Sequence, residues 1–138
     1  MATPEGKVKD KVKRLLKDAG FYFFMPPMNG YGSSGVPDII GCKDGRFLAV
    51  ECKANGNGPT ALQEKHLKEI VEKGGTSFVV DETGVGLFKL LVCSPQSFIP
   101  GTYYEFTNRD TKAKTTPSRT PENTKPGVQQ KRTTPKSV

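Results

Sequence analysis

The dipeptide Asp44-Gly45, set between Ile39-Ile40-Gly41-Cys42 and Phe47-Leu48-Ala49-Val50, commits the middle of this chain to a tight β-hairpin. A type I′ turn needs positive φ at both central residues and matches the natural twist of its strands; Asp-Gly is among its strongest signals. With that loop, Lys43 pairs with Arg46, Cys42 with Phe47, and Asp38 falls directly opposite Glu51. Alternation then sets Asp38, Glu51 and Lys53 on one face, with the Cβ atoms of the two acids about 5 Å apart. Like charges so placed repel. A divalent cation between them reverses that sign, and hard oxygen ligands suit Mg²⁺ or Mn²⁺. A neighbouring lysine could then activate or steady a metal-bound water, so the pattern points to metal-assisted hydrolysis. The competing reading makes Lys53 simply the salt-bridge partner of the acids.

Both faces of the hairpin are apolar, with Ile40, Phe47 and Ala49 on one and Ile39, Leu48 and Val50 on the other. Such strands belong in the centre of a sheet covered on both sides. Upstream, Thr3-Pro4-Glu5 reads as a helix start, and Val8, Val12, Leu15, Leu16 and Ala19 recur at helical spacing before Gly20. Lysines and Arg14 are expected to cover the opposite, solvated face. Phe21-Tyr22-Phe23-Phe24-Met25 predicts a short strand. Thr60 predicts the cap of a second helix, with Leu62, Leu67, Ile70 and Val71 as its buried stripe, and Ser77-Phe78-Val79-Val80 a strand reached by a βαβ crossover. Residues 87–93 fit helix or strand equally, and 103–106 reads as a candidate edge strand. The expected order is α-β-β-β-α-β, an α/β chain with a central mixed sheet flanked by helices.

The net charge of +7 suggests a polyanionic partner, but eight Lys/Arg against two Asp/Glu lie in residues 107–138. The first 106 residues carry thirteen against twelve. The division expected is a folded unit over 1–106 and a basic tail over 107–138. That tail has no aromatic residue and few aliphatics, a composition that does not support a core and predicts disorder. It could add salt-sensitive phosphate contacts, or serve only as a solubilising terminus. Three cysteines without a CxxC pair and one histidine argue against a structural zinc site and fit a reducing cytoplasm. No stretch approaches membrane-spanning length, and no membrane association is expected.

Gly30-x-Gly32-x-x-Gly35 has the spacing of a dinucleotide fingerprint, yet Pro37 and a β-branched run follow where a helix should open. A nucleotide site is therefore excluded. Tyr31, Ser33 and Ser34 are candidate nucleic-acid contacts, although a plain connecting loop accounts for them equally.

Val36-Pro37-Asp38, the Glu51-Cys52-Lys53 strand and Gln63 on the following helix resemble the PD-(D/E)XK nuclease superfamily. More closely, residues 3–81 resemble the VRR-NUC (virus-type replication-repair nuclease) domain in its compact stand-alone phage form. The resemblance implies a small restriction-endonuclease-like core with Mg²⁺ or Mn²⁺ held by Asp38, Glu51 and the Cys52 backbone carbonyl. Lys53 would position or deprotonate the attacking water. Glu5 matches an additional acidic metal ligand, and Gln63 a helix glutamine near the active-site lysine. Each has a plainer local role as well: Glu5 suits the helix dipole, and Gln63 completes a capping box with Thr60.

The activity so implied is endonucleolytic hydrolysis of DNA, with branched DNA or Holliday junctions as substrates if the domain forms a homodimer. The setting would be phage replication, repair or recombination in the host cytoplasm. Two rivals stand beside it: a non-catalytic DNA-binding module of the same fold, and an α/β scaffold whose acids and lysine form only an ion-pair cluster.

Overall fold

The computed structural model describes residues 3–27, 35–94 and 98–108. Helix α1 (Pro4–Asp18) starts as its sequence predicts: the Thr3 hydroxyl accepts from the Gly6 N–H at 2.9 Å, with Pro4 in the first turn. Five strands follow, β1 (Tyr22–Phe24), β2 (Ile39–Lys43), β3 (Arg46–Cys52), β4 (Thr76–Val80) and β5 (Tyr103–Phe106), lying side by side in chain order. Strands β1 to β3 are antiparallel neighbours. Helix α2 (Ala61–Glu72) carries the chain into β4 parallel to β3, and α3 (Val85–Cys93) carries it into β5 parallel to β4. The sheet is therefore mixed, and the expected element order holds with α3 and β5 added.

The hairpin register is the predicted one, closing on Lys43 opposite Arg46. Asp44 and Gly45 take φ values of 53° and 79°, the pair of positive angles that a type I′ turn requires. The closing pair is tied to the rest of the fold: Lys43 donates to the Ala19 carbonyl at 2.5 Å and Arg46 to that of Phe98 at 3.0 Å.

Two apolar clusters of unequal size flank the sheet. On one face, α1 and α3 pack Val8, Val12, Leu16, Phe88 and Val92 against Ile39, Leu48, Val50, Phe78 and Val80. Phe78 anchors this side, with the rings of Phe88, Tyr104 and Phe98 at 5.1, 5.2 and 5.6 Å. On the other face, among the described residues, α2 covers Ala49 and Val79, and Leu67 is its one fully buried residue. The predicted α2 stripe is thus narrower than expected. Ile70 and Val71 are half-buried, and Leu62, in the first turn beside Gly35, is exposed. The ambiguous 87–93 segment is helical: Phe88 and Val92, one turn apart, are buried, whereas Leu87 and Leu90 face solvent.

No helix among the described residues is long and apolar enough to cross a membrane. The tail beyond residue 108 lies outside the described residues.

Gly84, at the start of α3, lies directly under β5. A Cβ there would overlap the Phe106 carbonyl and side chain. Gly84→Ala is expected to lower unfolding stability by about 3 kcal/mol or more, read as a fall in the urea midpoint at unchanged slope.

Candidate active site

Strand β3 carries Glu51 into the sheet at 1% exposure, on the α2 face two residues beyond Ala49. Lys53 is the next residue on that face. Its N–H donates to the Val80 carbonyl at 2.9 Å, which extends the parallel β3–β4 pairing past the strand end. Its ammonium lies 3.5 Å from Glu51 Oε2. The other carboxylate oxygen, Oε1, is buried with no hydrogen-bond partner among the described residues. Burial above all, then the charge on Asp38, push the Glu51 carboxyl up to about 8; Lys53 pulls it down and Glu5 adds a smaller upward push.

Asp38 departs from the predicted geometry. The ladder ends at Ile39 opposite Val50, and the chain bends at Asp38, which is not the ladder partner of Glu51. Alternation supplies the reason. The Lys53 N–H faces β4, so the Cys52 N–H faces the β2 side, where the bend has removed its ladder acceptor. Asp38 Oδ2 takes that place, accepting from the Cys52 N–H at 2.8 Å. The same alternation turns the Cys52 carbonyl, the implied metal ligand, toward the side that holds Asp38. The Cys52 thiol points the other way into the α1–α3 core, where burial drives its pKa upward.

Asp38 Oδ1 lies 3.5 Å from the ammonium of Lys9. Lys9 was expected on the solvated face of α1; it instead flanks the buried Val8–Val12 stripe and turns toward the acids. The signal was present in the spacing, because Lys9 is four residues after Glu5 and shares its side of the helix. Glu5 itself is half-buried in the first turn, and its charge is felt at both Glu51 and Cys52.

Gln63 completes the capping box of α2. Its Oε1 accepts from the Thr60 N–H at 2.9 Å, while the Thr60 hydroxyl accepts from the Gln63 N–H at 3.1 Å. Its carbonyl oxygen is thereby committed to the cap. Gly35, at φ 81°, explains why that cap matters to the site: a Cβ there would come within 2.9 Å of the Leu62 carbonyl carbon and 3.0 Å of the Gln63 nitrogen. The segment leading to Asp38 therefore rests on the first turn of α2. Tyr31, Ser33 and Ser34 lie outside the described residues.

Among the described residues, no three His, Cys, Asp or Glu side chains converge on a point that could hold a metal ion. The donor chemistry nevertheless suits a hard divalent cation, since Asp38 and Glu51 offer carboxylates and the buried Glu51 Oε1 lacks a partner. Each acid is held instead by a lysine, Asp38 by Lys9 and Glu51 by Lys53.

With this arrangement in view, the family model for archaeal Holliday junction resolvase (Hjc) matches residues 5–83. The chain belongs to the Hjc family. The match includes Glu5, Lys9, Asp38, Glu51, Lys53 and Gln63. A solved VRR_NUC domain is similar at 25% identity and a TM-score of 0.50, over 58% of this chain and 86% of that one. No curated protein matches the sequence significantly. The Hjc-family body is thus a VRR-NUC-like nuclease domain with a restriction-endonuclease-like α/β fold.

The Glu51 shift fixes a pH dependence. A carboxyl whose pKa rises from 4.5 to about 8 on folding favours the native state most below 4.5, and that contribution is lost as pH rises through 8. In EDTA, the thermal midpoint should fall between about pH 4.5 and 8, and Glu51→Gln should flatten that fall. Differential scanning calorimetry across that range checks both.

Proposed function

We propose that this chain is a divalent-metal-dependent endodeoxyribonuclease that hydrolyses phosphodiester bonds in branched DNA, four-way junctions above all. One observation carries the reading: a carboxylate buried in a central strand with one oxygen unpartnered, beside a second acid and a lysine. The ion pair with Lys53 leaves this oxygen buried and unsatisfied, and a bound cation would supply the missing partner.

Asp38, Glu51 and the Cys52 carbonyl would hold the Mg²⁺ or Mn²⁺, with Glu5 as an additional acid. The cation would supply Lewis-acid polarisation of the phosphoryl oxygen and a lowered pKa for water. The chain's own groups do the rest. The Cys52 N–H fixes Asp38 in place, so the acid costs little to orient during reaction. Lys53, anchored through its N–H to β4, sets its ammonium where charge develops on the scissile phosphate and steadies the attacking water. Gln63 acts as a positioning residue, holding the first turn of α2 on which the Asp38 segment rests. One chain offers one such centre, so symmetric cleavage of a four-way junction calls for a homodimer. The resemblance to compact phage nucleases supports a setting in phage replication, repair or recombination, in the host cytoplasm.

The basic tail fits the same substrate. Cys52, Val80 and Phe106 are register neighbours, so β3, β4 and β5 end on one side of the sheet. The chain therefore leaves β5 about 10 Å from the Glu51–Lys53 end, two interstrand spacings away. Eight Lys/Arg against two acids in 109–138 would add phosphate contacts close to the cleaved strand.

Asp38→Ala and Lys53→Ala should each lower the rate of Mg²⁺-dependent junction cleavage by about 10²-fold or more, while DNA binding persists in a gel-shift assay. A wild-type protein inert toward supercoiled, single-stranded and four-way DNA in both Mg²⁺ and Mn²⁺ sinks the enzyme and leaves a binding module. Ending the chain at Asn108 should weaken junction binding and flatten the dependence of log K on log salt by roughly three or more units, with single-turnover cleavage at saturation unchanged. Fluorescence anisotropy across a salt series measures the slope.

A further inference from the structure

Lys9 is a charged group that the proposed chemistry leaves without a task. The Lys53–Glu51 pair belongs to the strand motif; the Lys9–Asp38 pair crosses from α1 and does not. Both Asp38 oxygens are occupied, Oδ2 by the Cys52 N–H and Oδ1 by the Lys9 ammonium. The two partners differ in kind. The Cys52 N–H is fixed in the backbone of a buried strand, whereas the Lys9 side chain is 35% exposed on a four-carbon stem. Only the second can move without cost to the sheet. Asp38 itself is 11% exposed, so a cation approaching it meets the ammonium before it meets a free oxygen.

We propose that Lys9 is a resident counter-cation of Asp38 which a divalent ion displaces, and which then binds a phosphate of the DNA strand at the mouth of the site. The inference rests on the nuclease reading and adds to it a coupling between metal and DNA. While Lys9 holds Asp38 it opposes the metal and is withheld from DNA. Once released, it is an unpaired ammonium one helical turn from Glu5, beside the centre that the phosphate must enter. Metal then promotes DNA binding, and by linkage DNA promotes metal binding to the same degree. An ion pair that served only to pin α1 to the sheet would make no such connection.

The two roles part in the sign of one effect. Removing a structural pair loosens the site and weakens metal binding; removing a competitor tightens it. The test uses the full-length chain and Mn²⁺ alone, by isothermal titration calorimetry, with wild type, Lys9→Met and Lys9→Arg, each checked for folding by urea melt. Lys9→Met should bind Mn²⁺ about fivefold more tightly than wild type, and Lys9→Arg should remain close to wild type. In a second measurement, the gain in affinity for a synthetic four-way DNA junction on adding Ca²⁺ should shrink in Lys9→Met and persist in Lys9→Arg. Mn²⁺ affinity that is unchanged or weaker in Lys9→Met, with wild type binding the ion, overturns the exchange and leaves the nuclease reading intact. A wild-type chain that binds no Mn²⁺ overturns both.

Discussion

Strand β3 is covered on both faces over residues 48–52, and Glu51 places an ionisable carboxyl where water cannot solvate its charge. The rest of the site answers that constraint. Lys53 supplies one counter-charge along the same face, and the parallel bond to Val80 holds it there after the regular strand has ended. Asp38 sits beside Glu51 yet is turned onto the Cys52 N–H, where its own charge is balanced by a backbone dipole and by Lys9. Neither lysine reaches Glu51 Oε1. The acid that lies deepest is therefore the one left incompletely satisfied, and this is the oxygen with the strongest physical reason to accept a cation.

The unequal covering of the sheet decides where chemistry can occur. The α1–α3 side is thick with aromatic and aliphatic side chains, and it receives the Cys52 thiol. The α2 side buries Ala49, Leu67 and Val79 at its centre, with Ile40, Ile70 and Tyr103 half-buried around them. Along that thinner face of β3, the row of side chains changes from Ala49 to Glu51 to Lys53 within five residues. Apolar burial thus gives way to charge at the strand end, where α1 brings Glu5 and Lys9 alongside.

What could be read from the chain was what local chemistry decides. Asp44-Gly45 needs only its own φ angles to set the hairpin, and that turn fixed every observed partner from Lys43–Arg46 to Ile39–Val50. Thr3 and Thr60 likewise cap helices with atoms three residues away. The misses are tertiary. Extending the ladder one more pair placed Asp38 opposite Glu51, but the chain bends there and a side chain replaces the backbone acceptor. Lys9 looked solvated because helical periodicity gives the buried stripe without saying what neighbours its flanks. Leu62 looked buried because periodicity does not report where along a helix its packing partner ends. Residues 87–93 were undecidable by periodicity alone, and the helix they form packs Phe88 on Phe78, a contact that periodicity does not show. The acids and Lys53 were legible as residues; their charge balance was not.

The sequential order of the strands has a consequence for the birth of the protein. Glu5, Lys9, Asp38, Glu51 and Lys53 all emerge from the ribosome before residue 54. Their arrangement nonetheless waits on the Val80 carbonyl, which fixes the Lys53 backbone and arrives only after α2 has been made. A nascent chain that stops short of β4 holds the antiparallel hairpin and every acid, but its central strand has an open edge and its lysine has no anchor. The parallel crossover therefore completes the centre: only with β4 in register does the Lys53 backbone gain its acceptor and β3 lose its open edge.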